Sequence, residues 1–247
     1  MLPIMRGLIA RRVLLNFRAD VIAVQALLPK PFEVQPWQGR AIVGVCLIRL
    51  EELRPKGLPA QFGIASENMA HRVAVRYPVD GKTETGVFVW RRETNQKLVQ
   101  AFGGRLFPGV HQGARFLVEE NENGISMDVK SANGKTDVSF SASYGPAWQP
   151  TSGFKNLDEA SEFFQHGDCG FSCSRNGDSV EGMQLKILQW SPQPLKVGPI
   201  NSAFFSDLDR FPPGSVEFDC GLIMRTVPHE WHEIREVPDL EAVSNFA

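Results

Sequence analysis

The sequence has almost no charge imbalance, few tyrosines, few cysteines and no long apolar run. Its formal net charge is −2 over 247 residues. It therefore lacks the basic surplus that a phosphate backbone demands, and nucleic acid is not expected as a partner. No apolar stretch approaches the roughly 18 residues of a membrane helix. Residues 1–10 have neither the apolar core nor the small-residue cleavage site of a signal peptide, so no membrane partner is expected and a cytoplasmic location is. The four cysteines are Cys46, Cys169, Cys173 and Cys220. Cys46 and Cys220 sit in apolar alternating runs, as small core residues do. Cys169 and Cys173, with His166 upstream, lack the paired ligand spacings of a zinc site. Free thiols in a reducing compartment are the simpler reading. A phosphate-cradling glycine loop, a nucleophile elbow and a dinucleotide fingerprint are also missing. No cofactor and no metal are expected.

What is present is an ordinary globular balance, 43% apolar and 22% charged, enough to build a sizeable core. Seventeen Phe and five Trp stand against two Tyr, supplying large apolar anchors. Alternation with period two dominates: it predicts strands over residues 39–53, 67–77, 86–92, 125–130, 137–143 and 216–224. Asn133-Gly134 reads as a hairpin turn between two of them. Helices are expected over 20–28, capped by Asp20, over 94–102, and over 156–165, where Asn156 and Glu159 have capping-box spacing. Many strands and three short helices argue an α+β, strand-dominated fold, a β-barrel or curved antiparallel sheet with helices outside. No repeat or clear linker divides the chain, so residues 1–247 read as one domain, with a polar tail over 236–247 that frays.

Residues 11–34 (RRVLLNFRADVIAVQALLPKPFEV) run from a strand into a capping Asp, a short helix and a proline-broken exit. A long strand, a strand bearing Glu67, a strand begun at Gly86, a helix and the segment GGRLFP follow. This order resembles the acetoacetate decarboxylase-like superfamily over residues 8–145. The later half, with WSPQPLKVGPINSAFF at 190–205, resembles its YqjF-like branch of uncharacterised proteins. In the decarboxylases the matching segment ends in two lysines, the first forming a Schiff base and the second lowering its pKa. Here Phe107-Pro108 are followed by Gly109-Val110-His111, and neither Gly109 nor Val110 can supply an amine. Residues 41–48, which match the strand carrying another family carboxylate, contain no acid. The resemblance leaves Glu67, and Arg11 or Arg12 near the family's N-terminal arginine.

These residues form the candidate set. Glu67, in a strand built for burial, is either a general acid–base with a raised pKa or a strand-end carboxylate in water. His111 is either a proton shuttle beside the Pro108 turn or an ordinary loop histidine. Arg11, Arg12 or Arg72 would hold a carboxylate, although Arg72 could equally be structural and lies across an ideal strand from Glu67. Phe107 and Pro108 would border the ligand. His229-Glu230-Trp231-His232 is a distant alternative as a metal site, its two histidines sharing one face of a helical turn. The expected function is a small-molecule enzyme without a covalent imine, of lyase or hydratase type, acting on an organic acid or carbonyl compound. The alternative is a non-catalytic binder with an apolar pocket. Exposed β edges make a homo-oligomer plausible.

Overall fold

A computed structural model describes residues 3–102, 109–146, 148–149 and 151–234. Phe107, Pro108 and the 236–247 tail fall outside the described residues.

Among the described residues, thirteen strands and three α-helices follow the chain. They are β1 (Met5–Ala19), α1 (Val21–Gln25), β2 (Glu33–Val34), β3 (Pro36–Trp37), β4 (Arg40–Pro55), β5 (Ile64–Val79), β6 (Lys82–Thr94) and α2 (Lys97–Phe102). Then come β7 (His111–Glu120), β8 (Gly124–Ser131), β9 (Val138–Tyr144), α3 (Leu157–Gln165), β10 (Cys169–Cys173), β11 (Val180–Ile187), β12 (Gln193–Ser202) and β13 (Val216–Glu233). The expected strand dominance holds. Each predicted strand lies within or overlaps an observed one, and most observed strands are longer.

All strands join one sheet, with the order β11-β10-β6-β7-β8-β9-β12-β13-β1-β4-β5-β2 and β3 on β4. It is antiparallel except where β6 runs parallel to β10 and to β7. Two further pairings, β5–β6 and β11–β13, connect distant parts of that order. One closed circuit of pairings therefore runs β13-β1-β4-β5-β6-β10-β11. A second shares β13, β1, β4, β5 and β6 and returns through β7, β8, β9 and β12. β6 can serve both because it splits its outer edge. Val87 and Phe88 pair with β10, and Arg92 to Thr94 pair with β7. β13 likewise meets β12 around Leu222 and β11 around Trp231.

The shared strands are buried on both faces, as their burial patterns show. Val13, Leu15, Val43, Val45, Val73 and Phe88 belong to the largest core, on the side of the β7–β9 strands. Leu14, Ile42, Cys46 and Leu222 pack on the other face against Phe154 and Phe164 of the α3 region. Ile9, Leu50, Leu185 and Met224 form a third cluster. Core burial of this kind stabilises by roughly 25 cal/mol per Å² of apolar area.

The helix ends obey the chemistry that predicted them. Asp20 Oδ1 accepts from the Ala23 N–H at 2.9 Å, and Asn156 Oδ1 from the Glu159 N–H at 2.9 Å. Glu159 reaches back, but to the Lys155 N–H rather than that of Asn156. The second helix starts three residues later than expected, because Thr94 still belongs to β6 and pairs with Asn68 and Gly113. No helix among the described residues is long and apolar enough to cross a membrane.

Candidate functional site

Strand alternation sorts the side chains of β5. Asn68, Ala70 and Arg72 face a cavity of about 130 Å³ bounded by strands of the first circuit. Much of its wall is aliphatic, including Ile48, Leu50, Val87, Val89, Met183 and Leu185. Against that wall stand three arginines from different strands: Arg12 of β1, Arg72 of β5 and Arg92 of β6.

Each arginine is held by something other than an acid. Arg72 donates from Nη2 to Asn16 Oδ1 at 2.8 Å, and its guanidinium lies 5.2 Å from the Phe164 ring centre. Arg92 donates from Nε to Ser172 Oγ at 3.0 Å. Arg12 lies 5.9 Å from the Trp190 ring centre. Among the described residues none of the three forms an ion pair with a carboxylate; the nearby Arg11–Glu67 pair belongs to the other face. Burial lowers the pKa of Arg72 and of Arg92 to about 10, which leaves both charged at neutral pH. Glu181 acts on Arg92 from nearby, but buried cationic charge without a paired anion is costly, and a bound anion would lower that cost.

Other polar residues border or flank the cavity. His111 opens β7 directly beside Arg92. Burial, then the Arg92 charge, lowers its pKa to about 3, so the imidazole is neutral. Asp168 is already engaged, accepting from Gln184 Nε2 at 2.9 Å. Glu93 is fully buried and pairs with Met69 across the strands, so its side chain lies on the Met69 and His71 face, away from the three arginines.

Of the residues singled out in sequence, Arg12, Arg72 and His111 come together here. Glu67 and Arg11 do not. The expectation that Glu67 and His111 share one pocket fails on the pleat of the sheet, since Glu67 and Arg72 are five residues apart on β5 and face opposite sides. The register shift after His71 leaves the strand's own alternation intact, because Trp90 of β6 is the extra residue. Glu67 is instead clamped by Arg11, whose Nη2 lies 2.9 Å from both carboxylate oxygens, with Arg49 at 3.7 Å. Arg11 also pairs with Glu120 at 3.1 Å. Adjacent residues thus take different roles. A register irregularity between Ile9 and Arg11 sets which of the two arginines turns towards the cavity.

The His229–His232 pair also departs from expectation. Both residues lie in β13, not in a helical turn, and three-residue spacing on a strand sends them to opposite faces. His229 is buried rather than solvated. Among the described residues no group of three or more His, Cys, Asp or Glu side chains is arranged to hold a metal.

Arg92, Glu93 and His71 went unrecognised in the sequence. The signal was the pair Arg91-Arg92 followed by Glu93 at the end of an apolar strand. Ending the strand at Arg92 and starting a helix at Thr94 hid it. The segment where the decarboxylases carry lysines is informative where it is described. Gly109 has φ +74°, its N–H donates to Glu181 Oε2 at 2.6 Å, and an added Cβ would lie 2.8 Å from Ser172 Cβ. A side chain there is opposed both by the backbone and by its neighbour.

Comparison with known proteins bears on this geometry. The model of the family DUF2071, described as an uncharacterized conserved protein (COG2071), matches residues 9–209. No curated protein matches the chain. The crystal structure of acetoacetate decarboxylase from Legionella pneumophila superposes with a TM-score of 0.65 at 13% identity, covering 97% of this chain and 88% of that one. An acetoacetate decarboxylase-like enzyme from Sphingomonas wittichii gives 0.59 at 12% identity, covering 97% and 93%. The enduracididine biosynthesis enzyme MppR, complexed with pyruvate, gives 0.58 at 11% identity, covering 96% and 91%. At such identities the likeness is one of fold, and with the match over residues 9–209 it places the chain in the DUF2071 family, on the acetoacetate decarboxylase-like fold.

Proposed function

We propose that this protein binds a small organic acid in the cavity between Arg12, Arg72 and Arg92, and acts on it or on its carbonyl group without forming an imine. The observation that carries the reading is the set of three arginines turned towards one largely aliphatic cavity with no carboxylate paired to them. Guanidinium groups bind carboxylates through parallel hydrogen bonds, and an aliphatic wall suits a short carbon skeleton. The structural relative crystallised with pyruvate holds an acid of this size.

The imine-free part of the reading rests on the lining and on Gly109. No lysine lines the cavity among the described residues. Gly109, in the stretch where the decarboxylases have their lysine pair, sits in a left-handed conformation against Ser172. His111 is neutral and beside Arg92, so it adds no fourth positive charge to the three arginines. A single sheet running from Met5 to Glu233 supports a one-domain chain in which this cavity is internal.

The test is calorimetric titration with acetate, propionate and pyruvate, repeated on Arg72→Met. Binding of at least one acid by the native chain, weakened about 10-fold or more in the variant, is the expected result; a tenfold loss corresponds to about 1.4 kcal/mol. Absence of binding by all three acids would remove the reading. Borohydride reduction in the presence of pyruvate should leave the intact mass unchanged. A stable adduct would show that one of the lysines elsewhere has taken over.

A further inference from the structure

One nucleophilic side chain lines the cavity and has no part in holding a carboxylate: Cys46 of β4. The register of the sheet sets it in a row of four. Cys46 lies opposite Ala70 of β5, Ala70 opposite Arg92 of β6, and Arg92 opposite His111 of β7. Residues directly opposite one another project from the same face. Thiol, guanidinium and imidazole therefore share the cavity face, with only the methyl group of Ala70 between the thiol and the arginine strand. Two residues before Cys46, Gly44 lies opposite both Asn16 of β1 and Arg72 of β5. A Cβ at Gly44 would lie 3.3 Å from Asn16 Oδ1, the atom to which Arg72 donates across this gap. Gly44 and Ala70 thus leave the space around Cys46 to arginine side chains.

Cys46 has two sides. On one it belongs to the apolar cluster of Leu14, Ile42 and Phe164, which alone would make it a small core residue. On the other it acts electrostatically on the guanidinium groups of both Arg72 and Arg92. It is 8% exposed. Reactive thiols occupy electropositive surroundings of this kind, whereas structural ones are closed in by apolar atoms. The other three cysteines do not line the cavity. Cys220 is fully buried, its Sγ 3.6 Å from Asn16 Nδ2. Burial pushes the Cys169 thiol up to about 11 and raises that of Cys173. A second observation points to a ligand beside Cys46. Arg72 is buried and lines the cavity, yet its Nε has no hydrogen-bond partner among the described residues. A buried donor in that condition asks for an acceptor.

We propose that Cys46 is the nucleophile of this cavity and adds reversibly to the carbonyl carbon of a bound keto acid. This rests on the acid-binding reading above and narrows its substrate class to short acids that carry a ketone beside the carboxylate. In the step, the Cys46 S–H bond breaks and a bond forms from Sγ to the carbonyl carbon. The π electron pair of the carbonyl moves onto its oxygen, and the proton released from sulfur ends there. The product is a thiohemiketal, and no oxidant or reductant is consumed. Guanidinium N–H groups not engaged by the carboxylate donate to the oxygen as its negative charge develops. A thiol in this place gives the cavity a covalent route that needs no amine.

The experiment uses the full chain and pyruvate isotopically enriched at its carbonyl carbon. Carbon NMR should show a protein-bound signal far upfield of the ketone, distinct from that of the free hydrate, as expected of a carbon bearing one oxygen and one sulfur. Cys46→Ala should lose that signal. Bromopyruvate gives a second reading on the native chain, independent of how the variant folds. Sulfur displaces bromide from its methylene carbon, and peptide mapping should find the label first at Cys46, with pyruvate slowing its attachment. If calorimetry shows pyruvate bound and no new carbon signal arises, the nucleophile proposal falls while the acid-binding reading stands. It falls equally if the signal persists in Cys46→Ala, or if the label goes first to Cys169, Cys173 or Cys220. If pyruvate does not bind at all, the acid-binding reading fails and takes the nucleophile with it.

Discussion

Arg11 and Arg12 are neighbours on one strand and live in different worlds. On the side of the large core, Arg11 is closed in by Glu67 and Glu120, and Glu120 in turn accepts from Arg225 at 2.7 Å and from Tyr144 at 2.9 Å. Each charge of that network has an opposite charge, and the network links β1, β5, β7, β9 and β13. On the cavity side, Arg12, Arg72 and Arg92 have ring faces, an amide and a hydroxyl around them and, among the described residues, no acid in ion-pair contact, Glu181 acting on Arg92 from farther off. One sheet therefore carries a finished electrostatic network on one face and an unfinished one on the other. The finished face answers to stability and the unfinished one to a ligand.

The contrast breaks most visibly at Glu67. Glu67→Ala leaves Arg11 buried with only Glu120 to answer it, and removing one partner of a buried pair costs on the order of 3 kcal/mol. Urea unfolding should show that loss, whereas Arg72→Met should stay within about 1 kcal/mol of the native chain and lose acid binding instead. Equal destabilisation by both would erase the distinction between the faces.

Buried imidazoles sharpen it through pH. Burial lowers the pKa of His71 and His111 to about 3 and of His229 to about 4. A depressed histidine takes up protons more readily when unfolded, so stability falls as pH drops from about 6.5 towards those values. The loss approaches about 1.4 kcal/mol per histidine for each step of one in pH. Glu93 acts oppositely: its raised pKa removes stability as pH rises from about 4.5 to about 7. Three histidines outweigh one carboxyl, so the melting temperature should climb from pH 4.5 to 6.5. Glu93→Gln should climb more steeply. A flat profile would mean that the imidazoles are not buried in solution.

A smaller effect is expected from Gly109→Ala, about 1–2 kcal/mol in urea unfolding, from the positive φ and the contact with Ser172. The smallest is a null. Glu67→Gln should leave the titration of His111, followed by NMR, where it was, because the two residues occupy opposite faces. A downward shift would reunite them in one site and overturn the placement of Glu67.

Much of this protein follows from local pattern. Period-two alternation marked most of the long strands, and Asp20 and Asn156 marked two helix starts, because pleat and capping are properties of a few consecutive residues. The candidate arginines and His111 were visible as polar residues in or beside apolar strands. Tertiary structure alone decided the rest. Whether Arg11 or Arg12 faces the cavity depends on a register irregularity with β4, and Arg92 joins Arg72 there because β6 lies beside β5 with Ala70 opposite Arg92. His229 and His232 were separated by the length of β13, which no local signal announced. The β10 arm of the β6 fork pairs residues 83 positions apart, Gly170 with Val87 and Phe171 with Phe88. Side-chain chemistry is written along the chain, but the sharing of one cavity by β1, β5 and β6 is set by hydrogen-bond register between strands, and register is a property of the closed sheet.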